Sequence, residues 1–194
     1  MGVCILVLAA GASSRMRGTD KLLEPVEDVP LLRRQVRAAL ATGCEVRVCL
    51  PDAEGPRALV LAGLDCEIVV VRDAADGMSA SIRAGIAGLE GAVMILPADM
   101  PEIDADDLVA VLDAFDGRVI CRGAAAERQP GHPVVFPSRY LDDLCAVSGD
   151  QGAREVLRGA EVKLVPLPGR HALVDLDTPE DWAEWRGLRE SRAN

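Results

Sequence analysis

The sequence predicts an α/β fold in which a mostly parallel sheet is covered by helices, and three observations carry that reading. Hydrophobic residues make up 49% of the chain but aromatic ones only 3%, so Ala, Val, Leu and Ile must build the core, which suits a sheet buried on both faces. Short apolar runs at residues 4–8, 46–50, 68–71 and 93–96 have the length of buried strands, and segments with helical spacing separate them. A chain of 194 residues can bury a sizeable core but is short for two ordinary domains, so residues 1–194 are expected to form one domain.

The elements follow in order. Between the first two strands, Leu32, Val36 and Leu40 recur at four-residue spacing after Pro30, and Gly43 is a natural stop, so an amphipathic helix is expected there. Ser79 is placed to cap a helix carrying Ile82 and Ile86, and Asp104 one carrying Leu108, Val111, Leu112 and Phe115. The Gly/Ala/Arg/Gln stretch at residues 122–129 reads as a flexible, exposed loop. Thr178 then precedes Pro179 at a first helical position, with Glu180 and Asp181 complementing the N-terminus of a helix that contains Trp182 and Trp185. Right-handed crossovers between parallel strands gather the loops, and any ligand, at one sheet edge.

A formal net charge of −10 opposes attraction to a phosphate backbone, so no nucleic-acid partner is expected, although a local basic loop can still hold a nucleotide. The apolar run at residues 3–10 is too short to span a bilayer and lacks a basic leader, so no membrane association and a cytoplasmic location are expected. Cys4, Cys44, Cys49, Cys66, Cys121 and Cys145 form no CxxC pair, which reads as reduced structural thiols.

The first strand runs into Leu8-Ala9-Ala10-Gly11-Ala12-Ser13-Ser14-Arg15-Met16, followed by Gly18 and Lys21. Small residues let backbone amides approach phosphate oxygens, while Arg15 and Lys21 supply positive charge. This is neither a Walker loop nor a GxGxxG fingerprint. Asp99 follows the run at residues 93–96, so it should project from a strand end, where a carboxylate suits Mg2+. Asp175 and Asp177 share one face if their stretch is extended, and either can join the metal, though Asp177 is equally suited to organising the turn before Thr178.

The loop resembles the LAAGxSxRMG…K signature of the MobA-like NTP transferase family, in particular its molybdenum cofactor cytidylyltransferases. The resemblance continues through Gly77-Met78-Ser79-Ala80-Ser81-Ile82-Arg83, Leu96-Pro97-Ala98-Asp99-Met100-Pro101, Gly131-His132-Pro133-Val134, Gly149-Asp150-Gln151-Gly152-Ala153-Arg154 and Asp175-Leu176-Asp177-Thr178-Pro179-Glu180-Asp181. It covers almost the whole chain in family order, with one departure: Arg17 stands between Arg15-Met16 and Gly18.

The resemblance implies a Rossmann-like, three-layer nucleotidyltransferase fold that binds NTP with its N-terminal half and the acceptor largely with its C-terminal half. It implies catalytic roles for Arg15, Lys21 and Asp99, nucleotide contacts from Leu8, Ala9, Ala10, Gly11, Ser79 and Ser81, and acceptor contacts from His132 and Arg154. Asp99, with Asp175 preferred as its companion, would hold Mg2+. His171 receives no role. Within the family Leu-Ala-Ala-Gly is associated with CTP and Leu-Ala-Gly-Gly with GTP, so Ala10 points to CTP. The implied reaction is attack of the terminal phosphate of molybdopterin on the α-phosphorus of CTP with release of pyrophosphate, the product passing to a recipient molybdoenzyme or its chaperone. Guanylyl transfer, another phosphorylated acceptor, or a non-catalytic nucleotide or cofactor chaperone are the alternatives.

Overall fold

A computed structural model describes residues 2–74, 77–149 and 152–193. In chain order the elements are β1 (Val3–Leu8), the short hairpin β2 (Pro25–Val26) and β3 (Val29–Pro30), α1 (Leu31–Ala41), β4 (Glu45–Leu50) and α2 (Pro56–Leu59). Next come β5 (Glu67–Val70), α3 (Met78–Ile86), β6 (Ala92–Pro97), α4 (Ala105–Ala114), β7 (Ile120–Ala124) and β8 (Pro130–Phe136). The chain closes with α5 (Leu141–Ala146), α6 (Arg154–Leu157), β9 (Val162–Pro166) and α7 (Pro179–Ala193).

The four apolar runs become β1, β4, β5 and β6, all parallel, at the centre and one side of a seven-stranded sheet ordered β5-β4-β1-β6-β8-β7-β9. Only β8 is reversed: it pairs antiparallel with β6 and β7, and β9 is again parallel to β7. This reversal matters for the site, because the first residues of β8 reach the edge where the other strands deliver their last.

The period-two pattern of the strands divides the core into two layers. Ile5, Val7, Met94 and Leu96 face one way and pack with Leu32 and Val36 of α1, Leu108 and Val111 of α4, and Trp182 and Trp185 of α7. Leu6, Val93 and Ile95 face the other way and pack with Ile82 and Ile86 of α3 and Leu144 of α5. Helix α3 lies so close to the sheet that a methyl group on Gly85 would sit 2.2 Å from a Leu6 methyl carbon. Only glycine allows that approach.

Helix ends follow the expected signals with one exception. Helix α1 stops as expected, with Gly43 at φ +75° and its amide donating to Leu40 O. Asp104 caps α4 in a reciprocal box with Asp107. At α7 the Asp181 carboxylate accepts from the amides of Asp177 and Thr178, while the Asp181 amide donates to Thr178 Oγ1. Ser79, expected as the cap of α3, instead lies inside the first turn and is buried. The position before the helix belongs to Gly77 at φ +87°, a backbone geometry that Ser would adopt only with strain.

The expected loop at residues 122–129 is also corrected: Arg122 lies within β7, laddered on one side to Val134 and on the other to Leu164. The tight connection to β8 occupies residues 125–129 alone, closed by Ala125 N–H donating to Gln129 O. All six cysteines are free. Among the described residues no helix is long and apolar enough to cross a membrane.

Candidate active site

The loop after β1 is held from beneath by a residue that its own sequence gave little reason to single out. Arg57, at the start of α2, is buried, and its guanidinium donates to Ala9 O at 2.5 Å and Ser13 Oγ at 2.9 Å, and to both oxygens of Asp20 at 2.7 and 2.8 Å. Asp20 also accepts from Ser13 Oγ and the Leu22 amide. Although burial alone would raise its pKa, the Arg57 hydrogen bonds and the Leu22 amide hold the Asp20 carboxyl below its ordinary value. The clasp therefore joins the two ends of the segment from Ala9 to Leu22.

Above the clasp, among the described residues, the amides of Ala10, Gly11 and Ala12 have no acceptor within the chain. Nothing stands within 4 Å of where a Gly11 side chain would project. Three successive free N–H groups and an open approach are the makings of an anion nest. The side chains of Ala9 and Ala10 are buried, Ala10 in the cluster with Leu6, Cys49, Val71 and Ala80. Ser79 and Ser81 on α3 are buried too, and the Ser81 carbonyl accepts from the Cys49 thiol.

At the mouth of this loop, residues from both ends of the chain meet. Lys21 Nζ lies 2.5 Å from Asp99 Oδ2 and 2.5 Å from Asp177 Oδ1, and the other Asp177 oxygen pairs with Arg15. Asp99 reaches this position because the β6 strand ends at Pro97 and the next turn is pinned: Leu176 N–H donates to Asp99 O, and buried Gln35 of α1 donates to Met100 O and Ile103 O. Burial lowers the Lys21 pKa and its two carboxylate partners raise it, with a net upward shift. For Asp175 burial comes first, then the charges of Asp99 and Asp177; together they push its carboxyl above the usual range.

Two carboxylates share the Lys21 ammonium, and Asp175 stands near enough to feel their charges. The excess of negative charge and hard oxygen donors is of the kind that suits a divalent cation such as Mg2+, but among the described residues Asp99, Asp175 and Asp177 are not gathered into a set of three converging ligand atoms. Asp175 carries no ion pair among the described residues, whereas Asp177 is engaged twice. A separate trio, Asp104, Asp107 and His171, brings three ligand-type atoms within 4.8 Å of one another, but its carboxylates serve the α4 cap. His171 Nδ1 rests 2.7 Å from Asp107 Oδ2. That arrangement explains His171 as a structural link.

Beside the carboxylates opens a cavity of about 370 Å3, lined by Asp99, Asp175, Arg122, His132 and Arg154 with an apolar wall that includes Ile82 and Phe136. His132 lies here because β8 runs backwards, so its first residues face the ligand edge. Gly131 is needed beside it, since a methyl group there would fall 1.8 Å from Ala172 O. Burial, reinforced by Arg122, lowers the His132 pKa to about 4, and its buried Nδ1 has no hydrogen-bond partner among the described residues. Arg154 comes from α6; Asp150 and Gln151 of the same motif lie outside the described residues. Sequence reasoning missed Arg122 and Arg57. The first was read as loop, and the second has no local signature because its partner stands 37 residues away.

A nest of amides at the C-terminal end of a parallel strand, facing a carboxylate pair and a second cavity, defines an α/β enzyme that handles a nucleotide. Residues 5–166 match the MobA-like NTP transferase domain, and the chain belongs to that family: it is a nucleotidyltransferase. Among similar proteins, a "probable molybdenum cofactor guanylyltransferase" of Synechococcus elongatus is 28% identical, the alignment covering 94% of this chain and 97% of that one. A "nicotine blue oxidoreductase" of Paenarthrobacter nicotinovorans is also 28% identical, over 90% and 92%. The structure of Rv0371c from Mycobacterium tuberculosis superposes with a TM-score of 0.83 at 25% identity, covering 95% of this chain and 97% of that one. The same protein in complex with manganese gives 0.78 at 23% identity, over 95% and 97%.

Proposed function

We propose that this chain, acting as a single domain, transfers a nucleoside monophosphate from an NTP to the terminal phosphate of molybdopterin, releasing pyrophosphate. The observation that carries the reading is the Lys21 ammonium held between Asp99 and Asp177, directly beside an amide nest and an anion-ready cavity. A phosphate nucleophile is already anionic near neutral pH, so positioning and charge neutralisation suffice without a dedicated base. Arg15 and Lys21 would neutralise the triphosphate and the departing pyrophosphate, the free amides of residues 10–12 would cradle it, and His132 and Arg154 would orient the acceptor. Asp99 and Asp175 would hold Mg2+, which when bound supplies electrophilic charge to the phosphates. Support for a divalent metal comes from the oxygen donor set and from the manganese complex of the Mycobacterium tuberculosis protein.

Two observations pull apart on the nucleotide. The named function of the Synechococcus relative favours GTP. Ala10, within Leu8-Ala9-Ala10-Gly11, favours CTP and carries the second reading. Because the Ala10 methyl is buried beneath the loop, it would act by setting the path of the nest and not by touching the base. The experiment is incubation of the protein and Mg2+ with molybdopterin and each of CTP, GTP, ATP and UTP, followed by mass analysis of the product and measurement of pyrophosphate. A pterin nucleotide with stoichiometric pyrophosphate supports the reading, and its base decides between GTP and CTP. No product with any of the four would overturn it in favour of a non-catalytic chaperone.

A further inference from the structure

Arg122 has no assigned role, yet its setting is unusual for a guanidinium. It projects from an interior strand of the sheet into the cavity, donating through Nε to Gly131 O at 2.7 Å and through Nη2 to Pro130 O. Those carbonyls fix its orientation without neutralising it. Among the described residues no carboxylate pairs with Arg122 or with Arg154. The charge that Arg122 feels most is that of Arg154, which is of the same sign and, after burial, lowers its pKa. The neighbouring His132 contributes no charge near neutrality. In a chain with a net charge of −10, Arg154 is exposed and solvated, but the half-buried Arg122 stands unpaired beside it, a costly placement unless a ligand brings the missing negative charge.

We infer that Arg122 is a further acceptor-binding residue: beside Arg154 it completes a dianion seat in which both guanidiniums share the acceptor's phosphate. The inference rests on the nucleotidyl-transfer reading for its biological use, but the seat stands on its own geometry. Two neighbouring cations match a dianionic phosphate better than a monoanionic carboxylate, and the Arg122 guanidinium, already oriented by backbone carbonyls, loses little freedom on binding. The apolar wall opposite, with Met78, Ile82 and Phe136, gives the uncharged body of such a molecule a surface to lie on.

The test titrates inorganic phosphate, and separately acetate, into the full chain without nucleotide or metal while following the arginine side-chain resonances by NMR. The expected result is that Arg122 and Arg154 respond together and saturably to phosphate, with acetate weaker by about tenfold or more, the value of one charge-assisted contact. Arg154→Gln should weaken phosphate binding at Arg122 by a similar factor, and Arg122→Lys should keep part of the affinity that Arg122→Gln loses. In turnover, Arg122→Gln should raise the KM for the acceptor and leave that for the NTP unchanged. Resonances that ignore phosphate, or that respond equally to acetate, would overturn the seat. Nucleotide transfer assays on the same preparation separate the two claims: phosphate at Arg122 without transfer to any acceptor defeats the enzymatic reading alone, and transfer without a response at Arg122 defeats the seat alone.

Discussion

The loop after β1 and the cavity proposed for the acceptor share one sheet edge and hold charge in opposite ways. In the loop, Arg57 is clasped by Asp20, Lys21 by Asp99 and Asp177, and Arg15 by Asp177. In the cavity, among the described residues, Arg122 has only backbone carbonyls as partners and the exposed Arg154 has no carboxylate. The loop charges therefore contribute to folding in the absence of ligand, and under the proposed function a nucleotide with its metal would have to rearrange existing pairs. The cavity charges contribute little until a ligand arrives, so binding there breaks nothing. Stability and catalysis are entangled in the first region and separable in the second.

The strongest way to break this contrast is at the clasp. Arg57→Ala leaves Asp20 partly buried without its partner, and stability should fall by about 3 kcal/mol, as for other broken buried pairs. Chemical denaturation would measure the loss, and adding Asp20→Asn should restore part of it. Asp99→Ala and Lys21→Ala come next: each should lower turnover by on the order of a hundredfold, about 3 kcal/mol of transition-state stabilisation, with a folded chain of somewhat lower stability because each breaks a part-buried pair. Pyrophosphate release at saturating Mg2+, run beside thermal unfolding, checks both. Full activity in Asp99→Ala would remove that residue from the mechanism.

The cavity makes its own prediction through pH. His132 faces Arg122 on β7, Asp99 after β6 and Arg154 on α6, and its folded pKa of about 4 lies below the unfolded value of 6.5. Between those values the unfolded chain binds the proton and the folded chain does not. The contribution is fully present above about pH 6.5 and is lost as pH falls toward 4, amounting to roughly 2–3 kcal/mol. Denaturation in chelator at pH 7.5 and 5 should show the loss in the wild type and much less of it in His132→Gln. The smallest expected effect is at Ala10: replacement by Gly should shift the CTP-to-GTP ratio toward GTP by about tenfold at most, since one methyl in a pocket discriminates by about 1–3 kcal/mol and this one acts indirectly. Competition at equal concentrations measures it.

What was legible in the sequence follows the same division. The central strands and the caps at Asp104 and Thr178 are local signals, and the structure carries them with boundaries shifted by a residue or so. Asp99 was legible because a strand end points its next carboxylate at the ligand edge. Arg122 was not, because Arg-Gly-Ala-Ala has the composition of a loop, and its strand character comes from pairing with β8 and β9. Nor could local sequence tell which of Asp175 and Asp177 would hold Lys21: the pairing is made across 156 residues. Ser79 failed as a cap for a backbone reason, the glycine-only geometry at residue 77.

The long reach of Asp177 has a consequence in time. Lys21 pairs with a residue 156 positions later, while Arg186 and Arg189 of α7 reach back to Glu24 and Glu27. At roughly 5–20 residues per second of synthesis, on the order of 10–30 s separate the making of Lys21 from that of Asp177, and its other partner, Asp99, is made about halfway through. In the second half of that interval Lys21 can pair with Asp99 alone, without the carboxylate that also holds Arg15. The cluster around Lys21 closes only once Asp177 is made, and the α7 helix that follows ties the same early segment through Glu24 and Glu27.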